Sequence, residues 1–158
     1  MRFAYGVAVF PPEEVEAEFQ KYVERGETGD WSTWADQFTE DALYVEHELG
    51  VFHGREEIRK WIVEVMAPVP EMDFPVEWHV IDGDRVIAYI WNRFKHPTDP
   101  NGEPFQFAVI SVLKYAGNGQ WSFEEDVYNA KEAEKVVLDY FTAKGDAAPF
   151  DLGPSTPA

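Results

Sequence analysis

The chain contains no cysteine, which excludes disulfides, thiolate metal centres and a thiol nucleophile. Basic residues are scarce: 13 Lys and Arg stand against 30 Asp and Glu, for a formal net charge of −17. Such a field repels phosphate backbones and anionic lipid head groups, so neither nucleic acid nor a membrane surface is expected as a partner. No apolar run approaches the roughly 18 residues that a spanning helix needs. The opening MRFAYGVAVFPPEE lacks the long apolar stretch and small-residue cleavage site of an export signal, so a cytoplasmic protein is expected. The four histidines, His47, His53, His79 and His96, show no metal-ligand spacing. Neither a metal nor a cofactor is expected. Internal repeats and low-complexity segments are also absent.

What the chain has in quantity is apolar and aromatic surface: 45% of its 158 residues are hydrophobic and 16% are Phe, Trp or Tyr. That is enough for one folded domain, expected over residues 1–145, with more rings than a small core consumes. The surplus suits an apolar pocket or a subunit interface. Residues 146–158 lack periodicity and read as a tail, either mostly mobile or packed through Phe150 and Leu152 on the body or a partner.

Hydrophobic periodicity divides the body. Pro11 and Pro12, followed by Glu13 and Glu14, open a helix whose stripe is Val15, Phe19, Tyr22 and Val23, ending near Gly26 to Gly29. Asp30 caps a second helix carrying Trp31, Trp34 and Phe38. Ala42 to Glu46 is extended, Gly50 to Gly54 reads as a loop, and Ile58, Trp61, Ile62, Val65 and Met66 mark a third helix stopped by Pro68 and Pro70. From Phe74 the period becomes two. Strands are expected to Val80, from Val86 to Lys95, from Phe105 to Tyr115 and from Trp121 to Tyr128, joined by Asp82-Gly83-Asp84, His96 to Pro104 and Gly117-Asn118-Gly119. Asn129 with Glu132 forms a capping box for a last helix with a stripe of Ala133, Val136, Val137, Tyr140 and Phe141. This order is α+β, with a curved, mostly antiparallel sheet wrapped around the helices.

Strand alternation sorts the side chains. Ala88, Ile90, Asn92 and Phe94 share one face and Tyr89, Trp91 and Arg93 the other; Phe107, Val109, Ser111 and Leu113 oppose Ala108, Ile110 and Val112. Both faces are largely apolar, so one takes the helices and a pocket and the other a second subunit, giving a homodimer. On the last strand Ser122, Glu124, Asp126 and Tyr128 oppose Trp121, Phe123, Glu125 and Val127. If the acidic side looks inward, Glu124, Asp126 and Glu46 come together with Arg93 as the nearest cation. Like charges in a dry site raise at least one carboxyl pKa, which suits a proton shuttle.

Three phrases, Gly29-Asp30-Trp31, Phe38-Thr-Glu-Asp41-Ala42-Leu-Tyr44 and His53-Gly54-Arg55-Glu-Glu-Ile58-Arg59, resemble the nuclear transport factor 2-like superfamily. The similarity is strongest to its SnoaL-like polyketide cyclase and ketosteroid isomerase branch, and it extends from Glu13 to Phe141. It implies a cone-shaped α+β barrel around an internal pocket for a small apolar molecule. By the isomerase pattern, Tyr22 matches the phenol that donates to the substrate oxyanion and Glu46 the carboxylate that moves the proton. Ser111 stands where that family has a protonated Asp, and Glu124, Asp126 and Tyr128 stand where its pocket wall is apolar. Those departures turn the expectation from steroid isomerisation toward the cyclases, with proton transfer next to a carbonyl.

The candidate catalytic residues are therefore Asp126, Glu46 and Tyr22, with Trp34, Trp61, Tyr89, Trp91, Arg93, Phe107, Ser111, Glu124 and Tyr128 around the substrate. Each has a plainer role open to it. Asp126 can be a strand-end charge, Tyr22 and the tryptophans core residues, Arg93 a partner for nearby acids. A slip of one residue would turn Glu46 to solvent and His47 inward. Two rival functions use the same fold: a ligand-binding or dimerisation module without chemistry, and an epoxide hydrolase-like activation of water by carboxylates flanking Arg93.

Overall fold

The computed structural model describes residues 10–149; Phe150 and Leu152 lie outside them. Helix α1 (Pro12–Glu27) starts on its prolines and buries Val15, Phe19 and Tyr22. The short α2 (Trp31–Trp34) is capped by Asp30, whose side chain accepts from the Thr33 amide. After one 3-10 turn the chain becomes β1 (Phe38–Glu46). Phe38, read from its spacing as the end of a helix, is the first residue of that strand.

Residues Gly50–His53, expected as a loop, form a strand, β2, that pairs antiparallel with the end of β1. The pattern is illegible because Val51 and His53 are exposed and only Phe52 turns inward. Gly54 follows with φ +85°, and a Cβ there would stand 2.9 Å from the Glu40 carbonyl oxygen. Only glycine fits that backbone without strain. Helix α3 (Arg55–Met66) then buries Ile58, Ile62 and Met66. Strands β3 (Val76–Asp82), β4 (Arg85–Phe94), β5 (Phe105–Gly117) and β6 (Gln120–Val127) follow, and α4 (Ala130–Lys144) closes the series.

The six strands lie in the order β2-β1-β6-β5-β4-β3. From β3 to β6 they form an antiparallel meander, whereas β1 runs parallel to β6. The sheet does not close: β2 and β3 are its edges, so the expected barrel is an open, curved sheet with the helices against one face. Val86, Ala88, Ile90 and Phe94 of β4 are buried on that face, and Trp78, Val80, Ile110 and Val127 are exposed on the other.

One irregularity corrects the strand alternation. Lys114 pairs with Phe123 and Tyr115 with Trp121, so Ser122 is an extra residue in β6. A bulge of this kind reverses which way the preceding side chains point. Trp121 is thereby turned inward, fully buried, with its ring 5.3 Å from that of Tyr115 and 6.2 Å from that of Tyr22.

Helix α4 is fixed at its start by Asn129, whose side-chain oxygen accepts from the amides of Lys131 (3.1 Å) and Glu132 (3.2 Å). Asn129→Ala is expected to cost about 1 kcal/mol of stability, read as a lower urea midpoint with an unchanged slope.

Candidate active site

Three adjacent strands bring the polar residues together. In the parallel pairing of β1 with β6, Tyr44 stands beside Glu124 and Glu46 beside Asp126. In the antiparallel pairing of β5 with β6, Ser111 is opposite Asp126. Alternation aims all five toward the helices. Glu46 is buried while His47 turns outward to Glu125 (2.9 Å), so the strand has the register that points Glu46 inward.

These residues line a cavity of about 850 Å³ between the sheet and the helices. Its apolar wall includes Trp31, Trp34, Trp61, Phe74 and Phe107, and α4 contributes Ala133 and Val137. Trp61 is held stacked on Phe52, ring centroids 4.5 Å apart, and tilted against Tyr44 at 4.8 Å. Trp34 packs on Phe38 at 5.0 Å.

The hydroxyls and carboxyls form one network. Tyr22 donates to Glu124 Oε1 (2.6 Å) and Ser111 donates to Asp126 Oδ1 (2.6 Å). Tyr44 Oη lies 2.5 Å from Asp126 Oδ2 and 3.1 Å from Glu124 Oε1. A phenol has one proton, and the shorter contact takes it, so Tyr44 donates to Asp126. Glu124 Oε1 is the acceptor for Tyr22, and Oε2 is buried and has no partner among the described residues.

Electrostatics agree with that assignment. Burial, first, and then the Asp126 charge push Glu124 well above the usual carboxylate range, outweighing the hydrogen bond from Tyr22. For Asp126, burial raises the pKa to about 6, against the lowering effect of the Ser111 and Tyr44 hydrogen bonds and with a further push from Glu46. Burial and the neighbouring acids raise the phenols of Tyr22 and Tyr44 well above their ordinary range, which keeps both as donors. Tyr128 is raised likewise by burial and by Glu46 beside it. Two carboxyls side by side are thus driven apart: one neutral, one poised to exchange a proton near neutral pH.

Of the residues read from the sequence, Tyr22, Trp34, Glu46, Trp61, Phe107, Ser111, Glu124, Asp126 and Tyr128 all line the cavity. Tyr89, Trp91 and Arg93 do not, because they occupy the alternate positions of β4. Tyr89 lies between Trp78 (5.5 Å) and Trp91 (5.4 Å) on the outer face, and the Trp91 indole donates to Glu77 (2.7 Å). Arg93 forms a two-point pair with Asp73, at 2.8 and 2.9 Å, and brings no charge to the acids. The hydroxyls of Tyr22 and Ser111, expected to face a substrate oxyanion, already spend their single protons on Glu124 and Asp126. Tyr44 is the residue that sequence reading missed, although its place two before Glu46 put it on the same face. Asn92 was likewise legible beside Ile90 and lines the cavity. Among the described residues no three His, Asp or Glu side chains are grouped to hold a metal ion, and no helix is long and apolar enough to cross a membrane.

A family model for the SnoaL-like domain matches residues 19–123, well over half of the chain. No curated protein sequence matches it. Among solved structures, SalBIII, an epoxide hydrolase/cyclase-like enzyme of pyran ring formation in the polyether salinomycin, is similar with a TM-score of 0.62. It is 16% identical, with 76% of this chain and 94% of that one covered. An LEH-like epoxide hydrolase of M. tuberculosis gives 0.63 at 15% identity, covering 83% and 94%. A protein of ketosteroid isomerase-like fold from Catenulispora acidiphila gives 0.58 at 19% identity, covering 94% and 100%. At these identities the likeness is one of fold.

Proposed function

The chain belongs to the SnoaL-like domain family, and from that membership and the geometry of its cavity we propose that it is a cofactor-free proton-transfer enzyme of isomerase or cyclase type. Its substrate is a small, largely apolar carbonyl compound. The observation that carries this reading is the pair of adjacent carboxyls: half-buried Asp126, with a pKa of about 6, beside buried Glu124, held well above the usual carboxylate range, in an open cavity.

Asp126, ionised at neutral pH, takes a proton from the carbon next to the carbonyl, and the released electron pair moves onto the carbonyl oxygen. That oxygen becomes an enolate, and Glu124, held well above the usual carboxylate range, adds no opposing charge beside it. In an isomerase Asp126 returns its proton to a different carbon; in a cyclase the enolate carbon attacks a second carbonyl, whose oxygen then receives a proton. Tyr22, Tyr44 and Ser111 hold the two carboxyls in their opposite protonation states, and Glu46 and Tyr128 flank the base. The fold likeness to an epoxide hydrolase/cyclase-like enzyme of pyran formation is compatible with ring closure.

The rival readings fit less well. A binding module without chemistry calls for a filled interior or for acids paired with Lys and Arg, and water activation of the Arg-flanked type calls for a cation that Arg93, bound to Asp73, does not supply. The test is deuterium uptake from D₂O at the α-carbons of 2-tetralone and related ketones, followed by proton NMR. Acceleration over buffer that grows as pH rises through about 6 supports the reading, and a whole carbonyl panel left at the buffer rate overturns it.

The same reading includes a cytoplasmic homodimer. Trp78, Tyr89, Ile110 and Val127 are consecutive partners across β3, β4, β5 and β6, so they form one apolar row along the outer face. A second copy set against that row would bury it. Sedimentation equilibrium is expected to give twice the 18.2 kDa chain mass, and Ile110→Glu is expected to halve it; a wild-type monomer at micromolar concentration contradicts the dimer.

A further inference from the structure

The charge of the cavity is one-sided. Among the described residues lining it, Lys131 is the one basic side chain, and it is exposed. Glu46, Glu124 and Asp126 stand along the sheet wall, with Glu27, Glu48 and Glu134 closer to solvent. A seventh acid of the lining, Asp73, is paired with Arg93; none of the other six carboxyls joins an ion pair among the described residues.

Glu46 is the most telling of them. It is only 4% exposed, its Oε2 has no hydrogen-bond partner, and its Oε1 has only a long contact of 3.3 Å from the Glu48 amide. A buried carboxylate left so poorly partnered costs several kcal/mol. Lys or Arg would ordinarily relieve that cost, and the wall around Glu46 offers neither. Tyr128 stands beside it, and Trp61 and Phe107 line the same cavity, with the Phe107 and Tyr128 rings 5.7 Å apart. Carboxylates combined with aromatic faces in a partly dry site favour an organic cation over a neutral or anionic ligand.

We propose that the ligand of this cavity carries an amine protonated at neutral pH on an apolar ring system, its ammonium toward Glu46 and its rings among the aromatic side chains. Resting on the proton-transfer reading, the substrate is then an amino ketone. Carboxylates, phosphates and acyl phosphates are rejected by the same acids.

The test compares 2-(aminomethyl)naphthalene, 2-naphthalenemethanol and 2-naphthoate, matched in size and differing in charge, by calorimetry on the full chain at pH 7.5. The amine is expected to bind about tenfold tighter than the alcohol, and the naphthoate weakest. Glu46→Gln is expected to weaken the amine about tenfold and leave the alcohol within about twofold. That variant removes one charge from a net −17, so a loss of this size cannot come from the general field of the protein. Glu48→Gln at the rim serves as the second variant should Glu46→Gln fail to fold, with a smaller loss expected for the amine alone. Equal affinity for amine and alcohol, tighter binding of naphthoate, or an amine preference untouched by both variants overturns the proposal. An intact amine preference without deuterium exchange into any amino ketone supports the binding inference and counts against the proton-transfer reading instead.

Discussion

Asp126→Asn is expected to lower the α-proton exchange rate by about 10²–10³-fold, within the usual range for loss of a positioned general base. The loss belongs in kcat, with KM little changed, because the amide keeps the size of the carboxyl and can still accept from Ser111. With a pKa of about 6, roughly nine in ten Asp126 side chains are ionised at pH 7, yet the group is basic enough to hold a proton briefly. The wild-type rate should therefore rise between pH 5 and 7 and level off, and the residual rate of the variant should lack that rise. A wild-type rate that is flat across the interval, or a variant within a few fold of wild type, removes Asp126 from the chemistry.

The second expectation concerns stability and has the opposite sign. A carboxyl whose folded pKa stands above its unfolded value binds its proton more tightly in the native state. Its contribution is fully present below the unfolded pKa and is lost as pH rises through the folded one. For Asp126 the window runs from 3.8 to about 6, on the order of 3 kcal/mol at full extent. Near pH 4.4 the chain approaches its isoelectric point, so the comparison is best made between pH 5 and pH 8, where about 1 kcal/mol of the effect remains. Asp126→Asn should accordingly gain about that much relative to wild type on going from pH 5 to pH 8, measured by urea unfolding at both. Glu124, raised for the same reasons, extends the fall of wild-type stability to higher pH. A variant whose stability runs parallel to wild type would mean that Asp126 is not desolvated. Asn at position 126 is thus expected to be slower and to gain stability relative to wild type as pH rises through about 6, the exchange typical of a site where an acid is held in a poor place for its charge.

Much of this was legible in the chain because strand alternation is rigid. Once Glu46, Ser111, Glu124 and Asp126 are assigned to strands, a period of two decides which neighbours share their face. Tyr44 obeys the same rule, but an aromatic in an apolar run is indistinguishable from core. Tyr89, Trp91 and Arg93 have the chemistry of site residues, but alternation sets them on the far face of β4. What the chain could not reveal were events of pairing: the bulge at Ser122 that turns Trp121 inward, the short β2 with one inward residue, and the parallel register that sets Tyr44 beside Glu124. The last joins segments 80 residues apart, and the first two are set by how neighbouring strands pair, which no hydrophobic period encodes.

The most direct test of the paired carboxyls is a carbon-13 titration of side-chain carboxyls between pH 5 and 9, with Asp126→Asn and Glu124→Gln used to assign the resonances. The expected record has one carboxyl titrating at about pH 6 that vanishes in Asp126→Asn, and a second, still protonated well above the usual carboxylate range, that vanishes in Glu124→Gln. If every carboxyl of the wild-type protein is already ionised at pH 5, the acids are hydrated and the proposed proton transfer has no physical basis.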